Sequence, residues 1–292
     1  MNAARPAFPG NRAGTRSDSA EPAAGEPSAP GVLVLLRHGY SVGNAEGGFT
    51  GWLDVPLAPR GRTEAARAGA LLVEQARTPT VVHASVLQRA VDTARIVADV
   101  VVAAGSPRPP IRCSWRLNER HYGALQGRSK VEVLDRYGGA QFTRWRRSYW
   151  SSPPPLAPDD PAHPRRDPRY AEIPDELLPG AESLADVRAR LLPYWRVIVD
   201  DLRRGESVLV VAHSNSLRAL CMHLDGLGER EVEGLEVPTG VPLHYDLSFA
   251  PDGRSEPRPV VRGGVYLDPV AARAGIAEMA VRGWSRACGD GA

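Results

Sequence analysis

With 292 residues, 42% of them hydrophobic, the chain is long enough for one large or two small domains around a sizeable core. A net charge of +2 leaves no global field suited to nucleic acid or an acidic membrane surface. The widely spaced Cys113, Cys221 and Cys288 form no CxxC or Cys/His pattern, which argues against a metal site or disulfide framework and for a reduced, cytoplasmic setting, and no apolar run reaches the ~18 residues of a membrane helix or forms a signal core.

Residues 1–30, dominated by Ala, Pro, Gly, Ser and Asn, read as a disordered tail. The folded part, 31–282, opens with the apolar run Val32–Leu36, a buried strand that stops at Arg37-His38-Gly39. Pro59 and Gly61 read as breakers before an Ala- and Leu-rich helix over Thr63–Gln75, then come a strand at Thr80–Ala84, a helix over Leu87–Val102 and a strand at Ile111–Trp115. Between Arg116 and Gly180 the alternation fails. This stretch holds Gln141–Trp150 and the Pro-rich Ser152–Arg169, is too long for an ordinary loop, and is expected to cap the carboxyl edge of the sheet. A long amphipathic helix over Leu184–Leu202 is stopped by Gly205, and a second buried strand, Val208–Ala212, runs into His213-Ser214-Asn215-Ser216. A helix over Leu217–Leu224, a strand at His244–Phe249, a last helix over Pro269–Val281 and a flexible tail at 283–292 complete the chain. Alternating strands and helices predict an α/β fold of three layers, α/β/α, with a mostly parallel central sheet and helices on both faces.

Ligands of open α/β sheets bind beyond the carboxyl ends of the strands, which is where His38 and His213 are delivered. Neutral imidazole is a competent nucleophile toward phosphorus, Arg37 offers a planar fork for phosphate oxygens, and nearby cations would keep His38 neutral. His213 is a candidate donor to a transferring phosphoryl oxygen. Arg89, after a strand and near a helix start, can reach an anion at the sheet edge. Glu119 is a candidate general acid and base, against the plainer reading of an ion pair with Arg120. Arg144, Arg146 and Arg147 around Trp145, together with Lys130, could grip a second anion or form an ordinary solvated helix face. Lys130 is the only lysine among 36 basic residues, a skew of the kind a GC-rich genome imposes.

These segments together resemble the cofactor-dependent phosphoglycerate mutases of the histidine phosphatase superfamily, from about Val32 to Val281. The resemblance is carried by Leu-Arg-His-Gly, Phe49-Thr50-Gly51-Trp52, Ser85 to Ala90, Leu117 to Gly127 (LNERHYGALQG), Trp145-Arg146-Arg147, Asp167 to Tyr170, Ala212 to Leu220 and Pro238 to Leu243. It implies that His38 is phosphorylated, that Glu119 moves protons, that His213 stabilises the transition state and that Arg37 and Arg89 hold phosphate. It places Ser41, Asn44, Thr50, Gly51, Arg120, His121, Tyr122, Lys130, Arg146, Arg147, Ser214 and Asn215 at substrate-contacting positions. The implied activity interconverts 3- and 2-phosphoglycerate after priming by 2,3-bisphosphoglycerate, without metal, in a cytoplasmic homodimer or homotetramer acting on small phosphorylated three-carbon acids. Tyr40 stands where the family has Glu, Ser214 where it has Gly, and Gly43 where a large aromatic is common. These departures leave two rival expectations: a phosphomonoesterase of the same superfamily, or a phosphometabolite-binding protein that has lost turnover.

Overall fold

The computed structural model describes residues 30–252 and 255–284. The tail expected at 1–30 lies outside them save for Pro30, as does the tail expected at 283–292 beyond Trp284. In chain order the elements are β1 (Gly31–Arg37), α1 (Val42–Glu46), α2 (Pro59–Glu74), β2 (Val81–Ala84), α3 (Gln88–Ala103), β3 (Ile111–Cys113), α4 (Lys130–Arg147), α5 (Leu184–Arg203), β4 (Val208–Ala212), α6 (Ser214–Asp225), α7 (Glu229–Gly234), β5 (Leu243–Ser248), β6 (Arg258–Pro259), β7 (Val265–Tyr266) and α8 (Pro269–Trp284).

The strands form one sheet in the order β3-β2-β4-β1-β5-β6, with β7 also pairing β5. The first four are mutually parallel, and β5 runs antiparallel to β1. The parallel expectation thus describes one half of the sheet, and the other half is antiparallel.

Side chains alternate across β1 with the period of 2 that the pleat dictates. Leu33 and Leu35, with Val208 and Val210 of β4, pack against Leu191, Trp195, Ile198 and Leu202 of α5 and Leu217, Leu220 and Leu224 of α6. Val34 and Leu36, with Val82, Leu209 and Val211, pack against Ala68 and Leu72 of α2 and Ala90, Ala94, Val97 and Val101 of α3. Each large buried side chain contributes about 1.5–3 kcal/mol of transfer free energy. Because both faces are covered, the strands read as unbroken apolar runs rather than as alternating ones.

Several boundaries differ from expectation. Pro59 and Gly61 are not breakers: Pro59 is the first residue of α2, where its missing N–H costs nothing, and Gly61 lies inside the helix. The third strand ends at Cys113, because Ser114 caps a short 3-10 turn at Trp115–Leu117. Helix α6 starts at Ser214, directly after His213, rather than at Leu217. The capping segment is more helical than read. Ser129 caps α4, which runs from Lys130 to Arg147 with a kink at Gly138, and buries Val133, Phe142 and Trp145. Phe142 and Trp145 join Phe49 and Leu125 in a satellite core, and Tyr170 and Leu178 close over Trp52.

Candidate active site

Strand order creates the site. Arg37 pairs in register with Ala212, and the N–H of His38 donates to the Ala212 carbonyl at 3.0 Å. His38 and His213 therefore leave adjacent parallel strands side by side, with ring centroids 4.9 Å apart. Both imidazoles are buried.

Burial pushes the His38 pKa well below the usual histidine value, and the neighbouring charges of Arg89 and Arg37 push it further. His213 is lowered in the same way, by burial first and then by Arg89, His38 and Arg37. The sequence anticipated the cations, but dehydration is the larger cause. His38 Nδ1 lies 2.7 Å from the Gly39 carbonyl. A carbonyl only accepts, so in the neutral ring Nδ1 carries the proton and Nε2 keeps its lone pair.

The turn beneath His38 is tightly fixed. The Gly39 N–H donates to Thr93 Oγ1 at 3.0 Å, and the Thr93 hydroxyl donates to the Arg89 carbonyl at 2.7 Å. A Cβ on Gly39 would sit 2.1 Å from the Gly61 carbonyl oxygen, and one on Gly61 would sit 2.1 Å from that of Tyr40. The two backbones touch, and only glycine at both places permits it.

A cavity of about 410 Å³ opens over the histidines, and its lining includes Arg37, His38, Arg89, Glu119, Tyr122, Lys130, Arg146, Arg147, Ser214 and Asn215. Ser41, Asn44, Thr50 and Gly51 complete one side. Ser41 and Asn44 cap α1 reciprocally, Asn44 Oδ1 accepting from the Ser41 N–H and Ser41 Oγ from the Asn44 N–H. Gly43, noted as a departure from the resembled family, lies against Thr50: a Cβ there would be 2.4 Å from Thr50 Oγ1.

Arg89 donates to the carbonyls of Leu53 and Gly51 at 2.9 and 2.8 Å, so it ties down the loop carrying Thr50. Burial lowers its pKa to about 10, which leaves it charged at neutral pH. Arg37 donates to the Val237 carbonyl, and its buried Nε has no partner. Glu119 Oε1 accepts from the Arg120 N–H at 2.7 Å, the Asn215 N–H at 3.2 Å and Asn215 Nδ2 at 2.9 Å. The expected alternative, a Glu119–Arg120 ion pair, is not formed; the contact is to the Arg120 backbone. Asn215 Nδ2 also donates to the Tyr122 hydroxyl, and Asn215 Oδ1 accepts from Arg218.

Two expected substrate contacts do not line the cavity. Arg120 is fully buried, stacks over Tyr122 and donates to the carbonyls of Trp145 and Arg146, so it anchors the end of α4. His121 is buried against Trp52, donates its N–H to Glu182 and accepts at Nδ1 from Gly123. Arg144 is exposed on the far side of α4, whereas Arg146 and Arg147 face the cavity.

Other lining residues were not anticipated. Glu236 pairs with Arg147, and Arg218 lies behind Asn215. Tyr40, noted only as a departure, sits under the Arg60 guanidinium at 4.7 Å. Arg60 bridges to Glu64 and to Glu278 of α8, whose Ala271, Ala274, Gly275 and Met279 form one wall. Of these, Tyr40 follows the first histidine motif and Arg218 lies within the second; the others carried no signal. Among the described residues no group of three or more His, Cys, Asp or Glu is placed to hold a metal ion, and no helix is long and apolar enough to cross a membrane. Two dehydrated imidazoles under fixed guanidinium groups can bind a polyanion and attack phosphorus.

A family model described as "Histidine phosphatase superfamily (branch 1)" matches residues 33–163 and 156–242. The chain is 52% identical over 246 residues to a protein of Thermobifida fusca named 2,3-bisphosphoglycerate-dependent phosphoglycerate mutase, covering 84% of this chain and 96% of that one. A protein of Mycobacterium bovis with the same name is 52% identical over 254 residues, 87% and 98% of the two chains. Among solved structures, mycobacterial hydrolase 1 aligns with a TM-score of 0.60 at 26% identity over 80% of this chain and 99% of its own. The native mycobacterial glucosyl-3-phosphoglycerate phosphatase aligns with the same TM-score, identity and coverage.

Proposed function

This chain belongs to the histidine phosphatase superfamily, and from that premise we propose that it interconverts 3-phosphoglycerate and 2-phosphoglycerate through a phosphorylated His38. The observation that carries the proposal is one cavity with His38 in its lining and the buried His213 ring packed directly behind it, and with a second cationic grip on its wall, Lys130, Arg146 and Arg147. A three-carbon acid with two anionic ends needs both. The cavity fits a bisphosphate: Arg37, which lines it, has a buried Nε donor without a partner that calls for an acceptor oxygen. Bound 2,3-bisphosphoglycerate supplies the phosphoryl group that primes His38.

His38 Nε2 attacks phosphorus in line; the N–P bond forms as the P–O bond breaks. Glu119 gives the departing oxygen its proton. In the return step Glu119 takes the proton of the attacking hydroxyl, a P–O bond forms and the N–P bond breaks. Arg37, Arg89 and His213 stabilise the charge on the phosphoryl oxygens throughout. Asn215 and the Arg120 N–H hold one Glu119 oxygen, leaving the other to exchange the proton. The walls given by α4 and α8 keep water from competing while the substrate turns over. We place this activity in the cytoplasm, within glycolysis and gluconeogenesis.

A coupled assay of 3- to 2-phosphoglycerate, with free phosphate followed in parallel, tests the proposal. Turnover should require priming by 2,3-bisphosphoglycerate, which should leave an acid-labile, base-stable phosphate on the protein that His38→Ala abolishes. Net phosphate release without need of priming would establish a phosphomonoesterase instead, and binding without a phosphohistidine would establish a protein that has lost turnover.

A further inference from the structure

His213 has two ring nitrogens in different surroundings. Nε2 lies 2.6 Å from Ser85 Oγ. Nδ1 is buried and has no protein partner. Ser85 follows β2, the other neighbour of β4, and its side chain is completely buried. Its Oγ already accepts the N–H of Leu87 at 3.2 Å.

A serine hydroxyl has one hydrogen to give. Among the described residues His213 Nε2 is the only acceptor within reach of the Ser85 hydroxyl hydrogen. If Nε2 carried the ring proton, two buried hydrogens would confront each other or the serine hydrogen would go unmet, and a buried unmet donor costs about 1–3 kcal/mol. If Ser85 donates to Nε2, both the serine hydrogen and the Nε2 lone pair are used, and the ring proton moves to Nδ1. That nitrogen then presents a donor without a protein acceptor. A phosphoryl oxygen satisfies it; a lone pair in the same place would repel one.

We infer that Ser85 is a positioning residue that fixes the neutral tautomer of His213 with its proton on Nδ1, aimed at the transferring phosphoryl group. The inference rests on the phosphoryl-transfer reading above. It makes the two histidines alike at Nδ1 and unlike in use. Gly39 accepts from Nδ1 of His38 and so frees Nε2 to attack; Ser85 donates to Nε2 of His213 and so frees Nδ1–H to stabilise.

The protein labelled with 15N-histidine tests this by two-bond 1H–15N correlation at neutral pH. The His213 signals are assigned by their loss in His213→Gln. Wild type should show a protonated Nδ1 and a bare Nε2 at His213. In Ser85→Ala the preference should shift toward Nε2–H, and kcat should fall by about 10- to 100-fold, as removal of a partner that orients a functional histidine commonly does. KM should stay within about twofold, because the loss is confined to the transition state. Ser85→Cys, with a weak donor of similar shape, should recover part of the rate and of the tautomer preference.

A wild-type His213 protonated at Nε2 overturns the inference, and so does a native kcat in Ser85→Ala. Should that variant fail to fold, the wild-type spectrum still decides. A wild type with Nδ1–H but no phosphoglycerate interconversion would refute the mutase proposal while leaving the role of Ser85 standing, since the spectrum is read without substrate.

Discussion

Gly61→Ala is expected to destabilise this protein, although it replaces glycine by alanine inside a helix. In an ordinary helix interior the change gains up to about 1 kcal/mol. Here the added Cβ would stand 2.1 Å from the Tyr40 carbonyl oxygen and 2.6 Å from the Tyr40 nitrogen. Both neighbours are backbone, so no side chain can swing aside. Reaching even 3.0 Å requires the first turn of α2 and the Tyr40 peptide to part by about 0.9 Å. Two hydrogen bonds cross that gap: the Ala58 N–H to the Tyr40 carbonyl at 2.9 Å and the Tyr40 N–H to Glu64 Oε2 at 2.8 Å. Weakening both costs on the order of 1–3 kcal/mol, and overpacking costs a further ~1–3 kcal/mol. Less the helix gain, the net loss is about 1–5 kcal/mol, or roughly 2–20 °C in Tm for a domain of this size. Tyr40 is two residues from His38, and misplacing a nucleophile by about 1 Å costs on the order of 100-fold in rate. Calorimetry and the coupled assay read the two effects together. A Tm equal to or above wild type would show that the packing of Gly61 on Tyr40 has been misread.

Acid should destabilise the fold from about pH 6.5 downward, well before carboxylates titrate. His38 and His213 are held well below that value, and His121 is pushed down to about 3 by burial, then by His163 and Arg190. The native state refuses protons that the unfolded chain accepts below ~6.5, so stability falls with pH by up to about 1.4 kcal/mol per unit for each such histidine. A Tm that stays flat between pH 7.5 and 5 would contradict this. Arg89→Met should raise KM as well as lower kcat, about tenfold or more each, because it also frees the Gly51–Leu53 loop; a pure kcat effect in steady-state kinetics would show that the loop stands without it. Arg60→Met removes the bridge from α2 to α8, a half-exposed contact contributing about 1 kcal/mol, and should weaken bisphosphate binding or raise its hydrolysis about fivefold; unchanged partition between transfer and hydrolysis would mean α8 holds without it.

The two apolar runs and the histidines that end them were legible because a strand buried on both faces leaves no polar residue to blur its limits. Their adjacency was not. β4 inserts between β1 and β2 through hydrogen bonds between segments far apart in sequence, and local periodicity is silent on such pairing. The tripeptide Glu119-Arg120-His121 shows the same division. All three residues look alike as chemistry, yet only Glu119 reaches the cavity; the Arg120 side chain turns inward to satisfy the carbonyls ending α4, and the His121 ring turns inward to accept the Gly123 N–H. Pro59 and Gly61 were misread because a helix start and a helix stop use the same residue types, and a close approach from a distant backbone leaves no mark in the sequence near Gly61. The wall from α8 was invisible as a site element, since it contributes alanine, glycine and methionine.

That wall and the imidazole pair differ in their exposure to dissolved ions. The imidazoles sit in a dry interior where dissolved ions hardly penetrate, but α8 is fastened by Arg60–Glu278 and Arg67–Asp268, whose arginines are 49% and 65% exposed. At a Debye length of about 8 Å in physiological salt, such fastenings feel the bathing electrolyte. The wall of the cavity therefore rests on contacts that added salt weakens, while the neutral imidazole pair beneath it does not.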